Sequence, residues 1–121
     1  MSFTSVTPAE QQSLAERVQV LYAHPIGSVP TQKLVTLLVT YPPLAKDPPH
    51  RHGLAFASAY VMRGTLWSSL NDEPLVEYEQ GRSWTEQPGE LHGACENRSD
   101  QVQAVLLATL GCPVDQTEFV V

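Results

Sequence analysis

Ten prolines and seven glycines, spread along the whole of a 121-residue chain, cut it into many short elements joined by turns. Proline fixes φ and offers no backbone donor, and glycine opens turn conformations closed to other residues. Such punctuation therefore favours strands over helices. Lys33 to Tyr41 is rich in β-branched residues and long enough for a well-buried strand. Pro42, Pro43, Pro48 and Pro49 end it in an extended loop that leads to His50. Ala55 to Met62 and Thr65 to Leu70 read as strands around a turn at Arg63-Gly64. Asn71-Asp72-Glu73-Pro74 is a further turn, and Leu75 to Glu79 alternates apolar with polar. Gln80-Gly81 and Gln87-Pro88-Gly89 turn again before His92. Gln101 to Leu110 is the most apolar strand, and Glu118 to Val121 is a candidate for a last one. About eight short strands at regular spacing predict an all-β sandwich or closed barrel.

One helix is expected ahead of that barrel. Thr7-Pro8-Ala9-Glu10 reads as a capping box with proline at the first helical position. Leu14, Val18, Leu21 and Tyr22 then fall at helical spacing, so an amphipathic helix is predicted from about Pro8 to Tyr22, with the barrel over residues 31–121. The helix's apolar stripe needs a surface to cover, either its own barrel or a second subunit. His24, at the exit of this helix, reads as structural. The length suits one domain over residues 1–121.

The net charge of −6, with no cluster of Lys or Arg, argues against a nucleic-acid partner, which needs a basic stripe. No stretch approaches the roughly 20 apolar residues of a membrane span. The N-terminus lacks the basic start and apolar run of a signal peptide. Cys95 and Cys112 form no C-x-x-C pair and read as reduced thiols, so a cytoplasmic protein is expected.

His50-Arg51-His52 is the sharpest local feature. Alternate residues of a strand point the same way, so both imidazoles project from one face and can chelate one metal ion. A third ligand must come from a distant strand, and His92, just after a Pro-Gly turn, is the candidate. Two surface histidines beside prolines are the alternative.

The spacing around these histidines resembles the two motifs of the cupin superfamily. His50-Arg51-His52 with Gly64 twelve residues on resembles the first, H-x-H-x(3,4)-E-x(6)-G. The run from Gly81 to His92 resembles the second, G-x(5)-P-x-G-x(2)-H-x(3)-N. The resemblance spans roughly residues 31–110. It implies a conical jelly-roll β-barrel with His50, His52 and His92 pointing inward around a divalent metal ion (iron, manganese, nickel or zinc). It also implies a small-molecule ligand or substrate, and a homodimer. Three positions depart from the pattern. Ala57 stands where the family places a glutamate, Gln87 where it places proline, and Glu96 where it places asparagine.

Alanine cannot ligate, so Ala57 leaves a three-histidine face with open positions. Some cupin oxygenases, including those resembling cysteine dioxygenase and acetylacetone-cleaving enzymes, use such a centre with iron. Neutral ligands leave the ion its full double charge, which favours an anionic bidentate substrate. If position 57 faces inward, so do Ala59 and Val61, while Ser58, Tyr60 and Met62 face out. Ala57 and Ala59 then leave volume for a ligand, with Trp84 and Phe56 as aromatic fillers or pocket walls. Glu86 and Glu96 are the carboxylates that could replace the missing ligand, a solvated side chain being the alternative for each. Glu96, four residues after His92 on a presumed strand, should share its inward face and is the candidate general base or partner to a ligand histidine. Cys95, at odd parity, should point away. Asn97-Arg98-Ser99 matches a glycosylation acceptor, an accidental match in a chain without a secretory signal.

Two functions of different class are therefore open. One is a metal-dependent dioxygenase or isomerase acting on a small oxygen-rich acid or diketone. The other is a non-catalytic module that holds a metal or small ligand.

Overall fold

The structure is a computed structural model that describes residues 14–120. A single helical turn, α1 (Leu14–Arg17), runs directly into strand β1 (Val18–Pro25). Strands β2 (Gln32–Tyr41) and β3 (Lys46–Asp47) follow, then β4 (Phe56–Arg63), β5 (Thr65–Leu70), β6 (Val76–Glu79), β7 (Ser83–Glu86), β8 (His92–Glu96) and β9 (Ala104–Pro113). They form a five-stranded sheet in the order β1-β2-β9-β4-β7 and a four-stranded sheet in the order β3-β8-β5-β6, with antiparallel pairing throughout.

Alternation puts one face of each sheet inside. In β9, every second residue from Ala104 to Cys112 is buried. In β4, Ala57, Ala59 and Val61 are buried while Tyr60 and Met62 are exposed, as the sequence predicts. Val39, Tyr41, Val61 and Leu106 of the first sheet meet Leu66 and Cys95 of the second in one apolar cluster. A smaller cluster around Val35, Leu37, Leu110 and Cys112 fills the other end. Each fully buried Leu or Val here contributes about 1.5–3 kcal/mol. Gly64 turns β4 into β5 at φ +73°, where a Cβ would meet the Gln103 carbonyl oxygen at 2.9 Å, so no other residue fits.

The helix expected over residues 8–22 needs correction. Residues 8–13 lie outside the described part, Leu14–Arg17 are helical, and from Val18 the chain is extended. Val18, Val20 and Tyr22 prefer extended backbone, and β2 supplies a complete ladder from Val18↔Val39 to Pro25↔Lys33, with a bulge at Leu21. Tertiary pairing thus overrides the helical spacing. Val18 packs on the core, whereas Leu21 and Tyr22 are exposed. His24 stays on the exposed part of β1, its ring beside that of Tyr22. No strand forms at residues 118–120, although Phe119 and Val120 pack on the two apolar clusters. Phe56 faces out and is 39% exposed, so it is not a pocket wall.

Candidate metal centre

After β3, Pro48 and Pro49 keep the chain extended, and His50 pairs with His92 through two backbone hydrogen bonds of 3.1 and 2.8 Å. That bridge joins the loop to the start of β8 and sets the two rings 4.8 Å apart, with His52 at 5.0 Å from His50. A nitrogen from each ring lies within 4.8 Å of the other two, so the three histidines could hold one metal ion.

The hydrogen bonds around the rings decide which nitrogens face that centre. His50 Nδ1 is 2.9 Å from the Pro48 carbonyl, and His52 Nδ1 is 2.7 Å from the Phe119 carbonyl. A carbonyl can only accept, so both Nδ1 atoms carry the proton and both Nε2 atoms keep a lone pair. His92 Nε2 is tied to the Ser68 hydroxyl at 2.8 Å, which leaves Nδ1 turned toward His50 Nε2, 3.3 Å away. Anchoring one ring nitrogen on a carbonyl or hydroxyl while the other faces inward is the arrangement that orients metal-ligating histidines.

A carboxylate meets them. Glu86 ends β7 directly opposite Ala57 in the β4–β7 register. Its Oε2 accepts from the Trp84 indole at 2.8 Å and lies 3.4 Å from His92 Nδ1. Its Oε1 lies 2.9 Å from His52 Nε2, yet accepts no well-directed hydrogen bond although it is buried. Lone pairs of imidazole and carboxylate crowded so closely need a proton or a cation between them. The donor set of imidazole nitrogens with one carboxylate suits a first-row transition ion.

The Cupin domain family matches the sequence over residues 37–110. The chain is a cupin. Solved structures agree on the fold. A conserved protein with a double-stranded β-helix domain from Klebsiella pneumoniae superimposes with a TM-score of 0.67 at 11% identity, covering 98% of this chain and 97% of its own. KdgF from Halomonas sp. gives 0.62 at 19% identity, covering 81% and 79%. A Cupin 2 conserved barrel domain protein from Salinispora arenicola gives 0.60 at 18%, covering 90% and 89%. No curated protein matches the sequence.

Electrostatics around the histidines of this cupin follow from burial and from the Glu86 carboxylate, with Asp47 a smaller influence. Burial alone would raise the Glu86 carboxyl, but His52, His92 and the Trp84 indole outweigh it and hold it at about 2. Burial, with His50 and His52 adding to it, pushes His92 down to about 4 in spite of Glu86. Burial also lowers His50. It works in the same direction on His52, where Glu86 and the Phe119 carbonyl prevail and the net shift is upward.

Ala57 and Ala59 line a partly enclosed cavity beside the histidines, bounded on other sides by Leu14, Val18 and Val120. Its volume is about 30 Å³. A single water needs about 10–15 Å³ by this measure, so the space takes an ion with one or two small donors. Trp84 is buried but does not line the cavity. It packs on Tyr78 at 4.6 Å and on His92 at 5.8 Å and holds Glu86 in place.

Glu96 is on the opposite face from the one expected. Ser69 pairs with Ala94 and Leu70 with His92, so Gly93 is an extra residue in β8 and the parity of every later residue reverses. Cys95 consequently points inward and is fully buried, while Glu96 turns out to Arg98 at 2.9 Å. Only glycine allows this bulge, because a Cβ at position 93 would lie 2.6 Å from the Asn71 carbonyl oxygen.

A second polar group in the same barrel was not anticipated. Asp47 accepts from Arg17 and from the Tyr41 hydroxyl, each at 2.5 Å, and Arg17 also donates to the Thr40 carbonyl at 2.9 Å. The side chains of Arg17 and Asp47 are 2% and 0% exposed. Burial, then Cys95 and Asp47 beside it, raise the Tyr41 hydroxyl well above its ordinary value. The one hint in the sequence is an Asp between two prolines and a lysine in an otherwise uncharged stretch.

Proposed function

We propose that this cupin binds a divalent transition-metal ion through His50, His52 and His92, and that the ion acts on a small oxygen-donor ligand held beside Ala57 and Ala59. The observation that carries this reading is the anchoring of one nitrogen of each ring on Pro48, Phe119 and Ser68, which leaves the other three converging in a buried space. Such an ion, when bound, polarises a coordinated oxygen or supports oxygen chemistry. The chain's own part is to hold three oriented imidazoles and exclude bulk water. On the enzyme reading, the reaction is that of a dioxygenase or isomerase, and the substrate a small oxygen-rich acid or diketone.

One observation favours the second reading, a metal- or ligand-holding module without turnover. A cavity of about 30 Å³ has no room for a diketone unless Leu14, Val18 or Val120 moves aside. Metal analysis of protein purified without an affinity tag, followed by oxygen uptake of the Fe(II)-loaded form with 1,3-diketones, thiol acids and catechol-like compounds, separates the two. Stoichiometric iron or manganese with uptake supports the enzyme. Bound metal without uptake supports a metal-holding module, and protein that takes up no metal at all removes the enzyme and leaves a module that holds a small ligand.

The cytoplasmic expectation is supported by two buried cysteines, both unpaired. Among the described residues no helix is long and apolar enough to cross a membrane. The dimer expectation moves from a helix to β1. Among the described residues this strand is the outermost of its sheet and exposes Val20, Leu21 and Tyr22, an edge suited to a second copy of the chain. Sedimentation velocity at micromolar concentration should give a dimer, and a monomer there removes the proposal.

A further inference from the structure

We propose that Glu86 is the fourth metal donor of this cupin, supplying through Oε1 the carboxylate that position 57 lacks. The proposal rests on the metal reading above and adds to it a residue from a different strand.

Three observations converge on Glu86. First, it is the register partner of Ala57, and both point inward from adjacent strands. Directly opposed residues of an antiparallel pair carry their Cβ atoms about 4.5–5.5 Å apart, so a carboxylate on either can serve the same space. Alanine at 57 is also what makes the room, since a longer side chain there would compete for the volume that the Glu86 carboxylate fills.

Second, Glu86 faces the wrong nitrogens for an outer orienting role. A carboxylate that merely orients a ligand histidine bonds the nitrogen turned away from the ion. Those nitrogens are already taken, by Pro48 for His50, by Phe119 for His52 and by Ser68 for His92. Glu86 instead lies 2.9 Å from His52 Nε2 and 3.4 Å from His92 Nδ1, on the side where the inward lone pairs gather.

Third, its two oxygens are not equivalent. Trp84 fixes Oε2 with a 2.8 Å hydrogen bond, while Oε1 is buried and its one close polar contact among the described residues, His52 Nε2 at 2.9 Å, is not a well-directed hydrogen bond. A buried carboxylate oxygen without a well-directed donor costs about 1–3 kcal/mol or more unless a proton or a cation satisfies it. A divalent cation held by the neighbouring histidines does so. The donor set then becomes three imidazoles and one carboxylate, and the net charge of the loaded site falls from +2 to +1, so a single monoanionic ligand neutralises it.

Carboxylates suit Mn(II), whereas Ni(II) is well served by imidazoles alone, so the choice of metal reports the donor. Purified wild-type protein, Glu86→Gln and the exchange variant Ala57→Glu/Glu86→Ala should be titrated with Mn(II) and with Ni(II), and their Co(II) forms compared by visible absorption. Glu86→Gln is expected to lose at least about 10-fold more affinity for Mn(II) than for Ni(II), with a shifted Co(II) spectrum. The exchange variant is expected to recover Mn(II) affinity, because it returns the carboxylate from the opposite strand. Equal losses for both metals with an unchanged Co(II) spectrum mark a positioning residue and overturn the assignment, as does a Glu86→Gln variant that binds both metals like wild type. In either case wild-type binding leaves the histidine site standing. Wild-type protein that binds neither metal overturns the histidine site and this assignment together.

Discussion

Asp47→Ala is expected to lower the folding stability of the protein by about 3–5 kcal/mol. The substitution leaves the Arg17 guanidinium buried with, among the described residues, the Thr40 carbonyl and the face of the Tyr41 ring as its remaining partners, and strips the Tyr41 hydroxyl of its Asp47 acceptor. With side-chain exposures of 2% and 0% for Arg17 and Asp47, water reaches neither group to compensate. A domain of this size has about 5–15 kcal/mol of stability in all, so the variant should unfold at a much lower urea concentration than wild type. The sign reverses in a companion variant. Replacing both partners together by apolar residues, as in Arg17→Met/Asp47→Leu, removes the uncompensated charge and should recover most of the loss. Tyr41→Phe, which deletes one hydrogen bond but no charge, should cost only about 1–2 kcal/mol. Urea midpoints for the three variants check the order. A single Asp47→Ala variant within about 1 kcal/mol of wild type would mean that Arg17 finds solvent, contrary to its burial.

What the sequence made legible was whatever depends on residues close together in the chain. The turn at Arg63-Gly64 and the alternation through Ala57, Ala59 and Val61 follow from local rules, and the structure keeps them. His50 and His52 face the same space because one residue separates them, and His92 is placed by the Pro-Gly turn before it. The failures all come from pairing partners that local rules cannot see. Leu14 to Tyr22 has helical spacing, but the free edge of β2 makes most of it a strand. One added residue at Gly93 exchanges the faces of Cys95 and Glu96, so the carboxylate expected inside is outside with Arg98. Glu86 directly precedes the Gln87-Pro88-Gly89 turn, and its direction is fixed only by the β4–β7 register. Arg17 and Asp47 are 30 positions apart and meet because α1 closes over the barrel. The fold class and the histidine triad were therefore readable, while the charged groups that complete the interior were not.

His92→Ala is expected to abolish the stabilisation that a divalent ion gives the wild-type protein. An ion at 100 times its dissociation constant adds about 2.7 kcal/mol to folding, because it binds the folded chain and not the unfolded one. For a chain of this length that is a rise of about 10 °C in melting temperature. Disturbing only the outer partner of a ligand histidine already weakens binding by about 10–100-fold, so removing the ligand itself should exceed that. A 100-fold loss at the same ion concentration cuts the stabilisation to about 0.4 kcal/mol, or roughly 1–2 °C. Differential scanning fluorimetry with and without Ni(II) reads the difference directly, and a chelator should return wild type to its metal-free value. Ser68→Ala supplies the graded control. It frees His92 Nε2 while keeping the ring, so its metal-dependent gain should fall between the other two. The comparison uses each variant's own metal-free form as reference, so any stability that His92 lends through Ser68 and Glu86 cancels. A His92→Ala protein that still gains about 10 °C would place the ion away from the triad, since His50 and His52 alone cannot hold it with wild-type strength.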